Sequence, residues 1–191
     1  EYAAHIGELA AKNRTFRSFI GMGYYPNAVP AVVTRNVFEN PAWYTSYSPY
    51  QAEISQGRLE ALLNYQTALL SLTGMEVANC SLLDEATATA EAMLMMYALR
   101  SREAVKQGRN QIFVDENIFP HTLDVLLTRS EPFGIEIIRD DFASYEFTGK
   151  EFGAIVQYPA ANGEVHDYAA FAAKAHEAGI TVTAVADLLS L

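Results

Sequence analysis

The sequence holds one cysteine, Cys80, one tryptophan, Trp43, and 13 basic residues against 23 acidic ones. A single cysteine excludes an internal disulfide and makes a reducing compartment the default. A formal net charge of −10 with no basic cluster argues against nucleic acid and anionic membranes as partners. No apolar run approaches the roughly 18 residues of a membrane span. The opening EYAAHIGELAAKNR has no basic region followed by an apolar core, so it does not read as a signal peptide. The histidines are His5, His121, His166 and His176. None pairs with another ligand at zinc spacing, and Glu164-x-His166 alone is too little for a site, so no metal is expected.

Nucleotide and hydrolase signatures are missing as well. FIGMGYYP contains Gly-x-Gly but no third glycine, and Pro26 discourages the helix that a dinucleotide fingerprint needs. Gly149-Lys150 lacks the first glycine and the Ser/Thr of a phosphate loop, and no Gly-x-Ser-x-Gly elbow occurs. A complete small dehydrogenase is therefore disfavoured.

What is present is a globular composition. The 191 residues are 50% hydrophobic and 19% charged, enough for one domain with a sizeable core. The chain starts in a helix-like stretch and stops at ITVTAVADLLSL, an apolar strand pattern followed by a short run. This predicts a fragment of a longer protein.

Residues 2–14 fit a short polar helix. Residues 16–50, punctuated by Gly21, Gly23, Pro26, Pro30, Pro41 and Pro49, predict an irregular extended arm. From Ser55 to Leu72 the helical period is clear, with Leu59, Leu62, Leu63, Leu69, Leu70 and Thr73 on one stripe, Gln66 in its middle and Gly74 as C-cap. Gln66 is expected to be a buried side chain bonded to a neighbour. After Gly74 the pattern alternates. EVANCSLL predicts a short strand and 84–101 a helix. Strands are expected at 111–115, 134–139, 153–158 and 180–186, with helices at 121–130 and 167–178. Short β-rich runs alternating with helices predict an α/β fold with a mostly parallel sheet between helices. Two parts follow, an N-terminal helix and arm over 1–50 and an α/β domain over 51–191.

Two residues fall where open α/β sheets gather ligands, at the carboxyl ends of strands. His121 opens a helix after a strand, as a ring facing a ligand or as a surface or capping histidine. Asp187 ends a strand, as a carboxylate for a ring nitrogen or as a helix cap. A third region is denser. Residues 47–74 read YSPYQAEISQGRLEALLNYQTALLSLTG. The polar front half sets Tyr47, Tyr50, Gln51, Glu53, Gln56 and Arg58 close together, just after Trp43 and Tyr44, which is more than a connector needs.

That stretch, with FIGMGYYP and ENPAWYT before it and SLLDEATATAEAM after it, resembles the glycine cleavage system P-protein family, glycine dehydrogenase (decarboxylating). The resemblance covers essentially the whole chain and points to the N-terminal, α-type half. It implies part of the large domain of a fold-type I pyridoxal-phosphate transferase-like enzyme. The family's reaction binds glycine to pyridoxal phosphate as an aldimine, releases CO2, and passes the aminomethyl group to the lipoyl arm of the H-protein. In the family the Schiff-base lysine belongs to the β-type half, so no cofactor is expected on this half. The four lysines, Lys12, Lys106, Lys150 and Lys174, agree, since none follows the Asp187 strand. The helix start S-L-L-D-E-A-T agrees too: Ser81 with Asp84 forms a capping-box pattern, and Asp84 and Glu85 repel a phosphate.

On this resemblance the loop reaches the site of the β-type half. Tyr47 and Tyr50 offer hydroxyls on rigid rings, Gln51 and Glu53 can hold an amino group or a water, and Arg58 can pair a carboxylate. The bland alternative is that these residues fix the loop to the helix after it. At the level of function, the alternative to a half that contributes site residues is a non-catalytic scaffold that stabilises the β-type half and docks the H-protein. The expected location is the cytoplasm in a bacterium and the mitochondrion in a eukaryote.

Overall fold

The computed structural model describes residues 1–45 and 47–191. Helix α1 spans Tyr2–Ala10, four residues short of the expected end. Within the arm, a single turn α2 (Ala31–Val33) runs into a wide helical turn, Thr34–Phe38. Helix α3 spans Arg58–Thr73 and closes on Gly74 in the left-handed region, φ 70°, where glycine carries no Cβ penalty. Helices α4 (Glu85–Ala98) and α5 (Arg102–Lys106) follow. Then strand β1 (Gln111–Asp115), helix α6 (Pro120–Ser130), strands β2 (Glu136–Asp140) and β3 (Glu151–Tyr158), helix α7 (Ala169–Glu177) and strand β4 (Thr181–Ala186) complete the domain.

The four strands form one sheet in the order β2-β1-β3-β4, every pair parallel. A parallel sheet needs cover on both faces, so its central strands carry near-continuous apolar runs. IFV in β1 and FGAIV in β3 are such runs, and all eight of these residues are buried. Successive side chains leave on opposite faces. Ile112, Val114 and Ile155 pack with Ala90, Met93 and Met96 of α4 and Leu126 of α6. Phe113, Ala154 and Val156 pack on the other face with Phe171 and Ala175 of α7 and with Tyr145 from the loop before β3. Phe113 is the centre of that second layer, its ring 4.6 Å from Tyr145 and 5.1 Å from Phe171. Full burial of one such side chain contributes about 1.5–3 kcal/mol.

At Gly153 the constraint is proximity rather than dihedral, and it falls on the flexible end of Met96. A Cβ there would stand 2.8 Å from the Met96 sulfur and 3.1 Å from its methyl group. The α4 face of β3 meets the helix at this point.

The expected strand EVANCSLL does not form. Residues 75–84 run as loop, with Val77 and Leu83 more than four-fifths exposed. A strand exists only through a paired neighbour, and the sheet that would have supplied one ends at β2 and β4. One carbonyl in this loop is satisfied from the helix before it: Gln66 donates to Ala78 O at 2.9 Å. The capping box also differs from expectation. Asp84, in extended backbone, is the N-cap of α4 and accepts from Thr87 N at 2.7 Å, while Ser81 lies outside the helix start.

Among the described residues, no helix is long and apolar enough to cross a membrane, and no three of His, Cys, Asp and Glu cluster as a metal site.

Candidate functional site

The first candidate is a cleft of about 420 Å³ over the carboxyl ends of β3 and β4. This is where the crevice of an open parallel sheet is expected. Its floor is Gln157 and Tyr158 of β3 and Thr183–Ala186 of β4. Its walls come from Glu85 and Thr89 of α4, Phe119, Asp187 and the Gly23–Tyr25 turn. Gln157 is almost fully buried and closes the apolar run FGAIV of β3. Its amide nitrogen donates to Glu85 Oε1 at 2.9 Å and to Val185 O at 3.0 Å. Two acceptors on one side fix which end of the amide is nitrogen. Gln157 thus ties the first residue of α4 to the edge strand.

The turn at Gly21-Met22-Gly23 closes one side. All three residues sit at positive φ, 66°, 52° and 87°, so glycine on either side of Met22 keeps the turn affordable. A Cβ on Gly23 would stand 3.3 Å from both Glu85 Oε2 and the Phe119 ring. Beside it Tyr24 tilts against His121, which stacks on Phe119 at 5.6 Å. His121 therefore packs between rings. Asp187 lines the cleft and also caps the last short turn, accepting from Leu189 N at 2.8 Å.

These residues do not suit a phosphate-bearing aldehyde cofactor. No lysine lines the cleft, so nothing there can form a Schiff base. A phosphate seeks free N–H groups at a helix start, but the Thr87 N–H is held by Asp84, and that bond keeps the Asp84 carboxyl below its ordinary range. Glu85 adds a second carboxylate at the same end. Of the lysines, Lys174 donates to Tyr145 O at 2.8 Å and pairs with Glu146 at 2.7 Å, on the opposite side of the sheet.

The second candidate is the loop before α3. Its residues divide into two sets. Ser55 is 1% exposed although its neighbours Ile54 and Gln56 are open to solvent. Its hydroxyl donates to Ser48 O at 2.7 Å and accepts from Arg58 Nη1 at 3.3 Å. Arg58 Nη2 donates to Ala42 O at 2.5 Å. Gln51 accepts from Ser48 N at 3.2 Å through its side chain, and its carbonyl accepts from Ser55 N at 2.8 Å. Ser55, Arg58 and Gln51 are thereby engaged with the loop's own backbone. Arg58 meets no carboxylate among the described residues. Tyr47, Tyr50 and Glu53 instead stand exposed. The Tyr50 hydroxyl lies 3.5 Å from Cys80 Sγ, and that contact pushes its pKa up. The loop and the cleft do not share a residue.

Sequence reasoning singled out this loop but missed Ser55, since a buried serine in an open loop is visible only through its bonds. It also missed Gln157 and the glycine turn. The one signal for Gln157 was a lone amide closing the run FGAIV.

A parallel sheet between helices, with a cleft over the strand ends, fits part of the large domain of a fold-type I pyridoxal-phosphate enzyme. A family model described as glycine cleavage system P-protein matches residues 1–191, and the chain belongs to that family. It is 60% identical over its whole length to glycine dehydrogenase (decarboxylating) of Bacteroides fragilis, covering 20% of that protein. It is 54% identical to the Nostoc punctiforme protein of the same name, covering all of this chain and 19% of that protein. A crystal structure of glycine decarboxylase (P-protein) of the glycine cleavage system, in inhibitor-bound form, superposes with a TM-score of 0.80 at 34% identity. It covers 98% of this chain and 43% of that one. The chain spans about a fifth of the length of the curated relatives it matches.

Proposed function

We propose that this chain serves in the decarboxylation of glycine, as part of a P-protein whose cofactor is bound by a lysine-bearing, β-type half. Bound pyridoxal phosphate supplies an electron sink for the glycine bond that breaks as CO2 leaves. The aminomethyl group then passes to the lipoyl arm of the H-protein. The contribution of this chain is the loop at 41–58, facing the site of the other half, together with assembly surface. The carrying observation is the division within that loop: three residues are engaged with its backbone while Tyr47, Tyr50 and Glu53 stand exposed, Tyr50 in contact with Cys80. The donor set of the cleft supports holding the cofactor elsewhere. In a bacterium this reading puts the protein in the cytoplasm, and in a eukaryote in the mitochondrion.

A second reading has its own support. Apolar side chains of the arm and α3 are widely exposed, with Phe19 at 90% and Leu72 at 64%. Exposed apolar patches of that kind mark interaction surfaces, which suits a scaffold that only stabilises the other half and docks the H-protein. Glu53→Gln and Tyr47→Phe in the full enzyme separate the two. Loss of a group acting mainly in the transition state costs roughly 10²–10³-fold in rate. A fall of that order in glycine decarboxylation with H-protein, at unchanged thermal stability, supports the loop reading. Normal turnover in both variants leaves the scaffold reading.

A further inference from the structure

We propose that Ser55 and Arg58 are positioning residues for the reaction. They form a brace that holds the loop in one conformation, so that Tyr47, Tyr50 and Glu53 are presented as a fixed array. The proposal rests on the reading of this loop as part of the glycine site. It reassigns Arg58 from carboxylate recognition to loop geometry.

The loop spans an irregular stretch with few backbone bonds of its own, where segments open at low cost. Three side-chain bonds cross it. Arg58 Nη2 reaches back 16 positions to Ala42 O at 2.5 Å. Ser55 Oγ reaches back seven positions to Ser48 O at 2.7 Å. The Arg58 Nη1 contact to the same Ser55 oxygen, 3.3 Å, joins the two. Ser48 is held at both backbone groups, since its N–H donates to Gln51 Oε1 at 3.2 Å. Tyr47 and Tyr50 flank Pro49 on either side of this anchor, and Glu53 lies between Gln51 and Ser55. The planar guanidinium suits the task because it donates along two directions at once, which one ammonium on a flexible stem does poorly. Ser55 is 1% exposed, and without its hydroxyl the Ser48 carbonyl would keep only the Gln51 N–H, at 3.3 Å. A connector has no need of a buried hydrogen-bonded hub, whereas an array that must meet substrate within fractions of an ångström does.

The test uses the full enzyme with pyridoxal phosphate and H-protein. Ser55→Ala and Arg58→Met are made alone and in a Tyr47→Phe/Glu53→Gln background, with Arg58→Lys as the conservative variant. Each single variant is expected to lower kcat/KM for glycine at least fivefold, with assembly and thermal midpoint unchanged. Hydrogen exchange at the Ser55 and Arg58 amides is expected to speed up. Arg58→Lys should recover only part of the loss. In the background that already lacks the loop's working groups, Ser55→Ala should cost less than twofold, because residues acting through one another are not additive. If the background variant lowers turnover but Ser55→Ala and Arg58→Met do not, or if their effects multiply in full, the brace is overturned and the loop reading stands. Unchanged exchange at the two amides overturns the brace as well. If the background variant turns over normally, both readings fall together.

Discussion

Replacing Glu151 by glutamine isolates the interaction that pins the start of β3. Glu151 is fully buried. Its carboxylate receives the Tyr145 hydroxyl at 2.6 Å, the Thr148 hydroxyl at 2.8 Å, the Thr148 N–H at 3.1 Å and the Gly149 N–H at 3.0 Å. Burial by itself would push this carboxyl up, but the donors, Tyr145 first, outweigh it and hold its pKa below the usual range. Glutamine keeps the volume and removes the charge. Its oxygen can keep the two N–H donors, so its nitrogen must face the two hydroxyls, which then have to turn their protons elsewhere. A hydrogen bond to a charged group contributes about 1.5–3 kcal/mol and a neutral one about 0.5–1.5 kcal/mol. Four donors weakened or displaced give an expected loss of about 2–4 kcal/mol, a large share of the 5–15 kcal/mol typical of a domain. The assay is urea unfolding followed by circular dichroism. The pH dependence carries a second signature. A carboxyl with a depressed folded pKa contributes stability that is present above its unfolded value, near 4.3, and is lost as pH falls through the folded value. The gap between wild type and Glu151→Gln is therefore expected to be widest at neutral pH and to narrow below about pH 4. A loss within 0.5 kcal/mol at pH 7, the scale of a surface substitution, would refute the reasoning.

Tyr168→Phe removes a hydroxyl that lies 3.0 Å from both the buried Asp115 carboxylate and Gln157 O; a loss of about 1–3 kcal/mol is expected in the same unfolding assay. Gly153→Ala is expected to cost about 1–3 kcal/mol by crowding Met96, and the added change Met96→Ala should recover part of it, read as coupling in a double-mutant cycle. Incubation of the purified chain with pyridoxal phosphate and borohydride is expected to label no single lysine stoichiometrically; one fully labelled lysine would contradict the donor set described for the cleft. With Phe19, Leu72 and the edge strand β4 uncovered, the chain by itself is expected to self-associate, and sedimentation giving a clean monomer over a wide concentration range would argue otherwise.

The central strands were legible because burial on both faces writes itself into composition. QIFVD gave β1 with its ends as expected, and β3 and β4 began or ended within two residues of their expected bounds. Helix α4 was legible as a long Ala- and Met-rich run expected over 84–101, although it ends at Ala98 and its cap is Asp84 and not Ser81, since the helix begins at Glu85 and Asp84 has the extended backbone of an N-cap. EVANCSLL failed for a reason that no local pattern contains. Its alternation is that of a strand, but pairing belongs to the partner, and none is there among the described residues. The loop at 41–58 was legible in its density of polar groups and illegible in its division of labour. Arg58 and Gln51 bond to the loop's backbone while Tyr47 and Glu53 stand exposed, and a serine carries no mark in sequence that distinguishes the buried, hydrogen-bonded Ser55 from a surface residue.

The cleft and the loop differ in how tightly their polar groups are tied to the fold. The crevice at the carboxyl ends of a parallel sheet follows from topology and persists whether or not a ligand occupies it. In this chain the charged groups that meet there are the carboxylates of Glu85 and Asp187, and the buried Gln157 amide is turned onto Glu85 and Val185. The Gly23 turn then packs against Glu85 and Phe119, leaving no Cβ-sized space on that side. A site for an anionic group would need the opposite: free N–H groups, a cation and small residues at the start of α4. Building one takes more than one substitution, because removing Glu85 leaves the buried Gln157 amide nitrogen with Val185 O alone, and removing Asp84 unpairs the Thr87 N–H at the helix start. The bonds that close the cleft are thus the same bonds that hold α4 to the sheet, and the loop carries its free polar groups outside this coupled set, where they can change without unfolding the core.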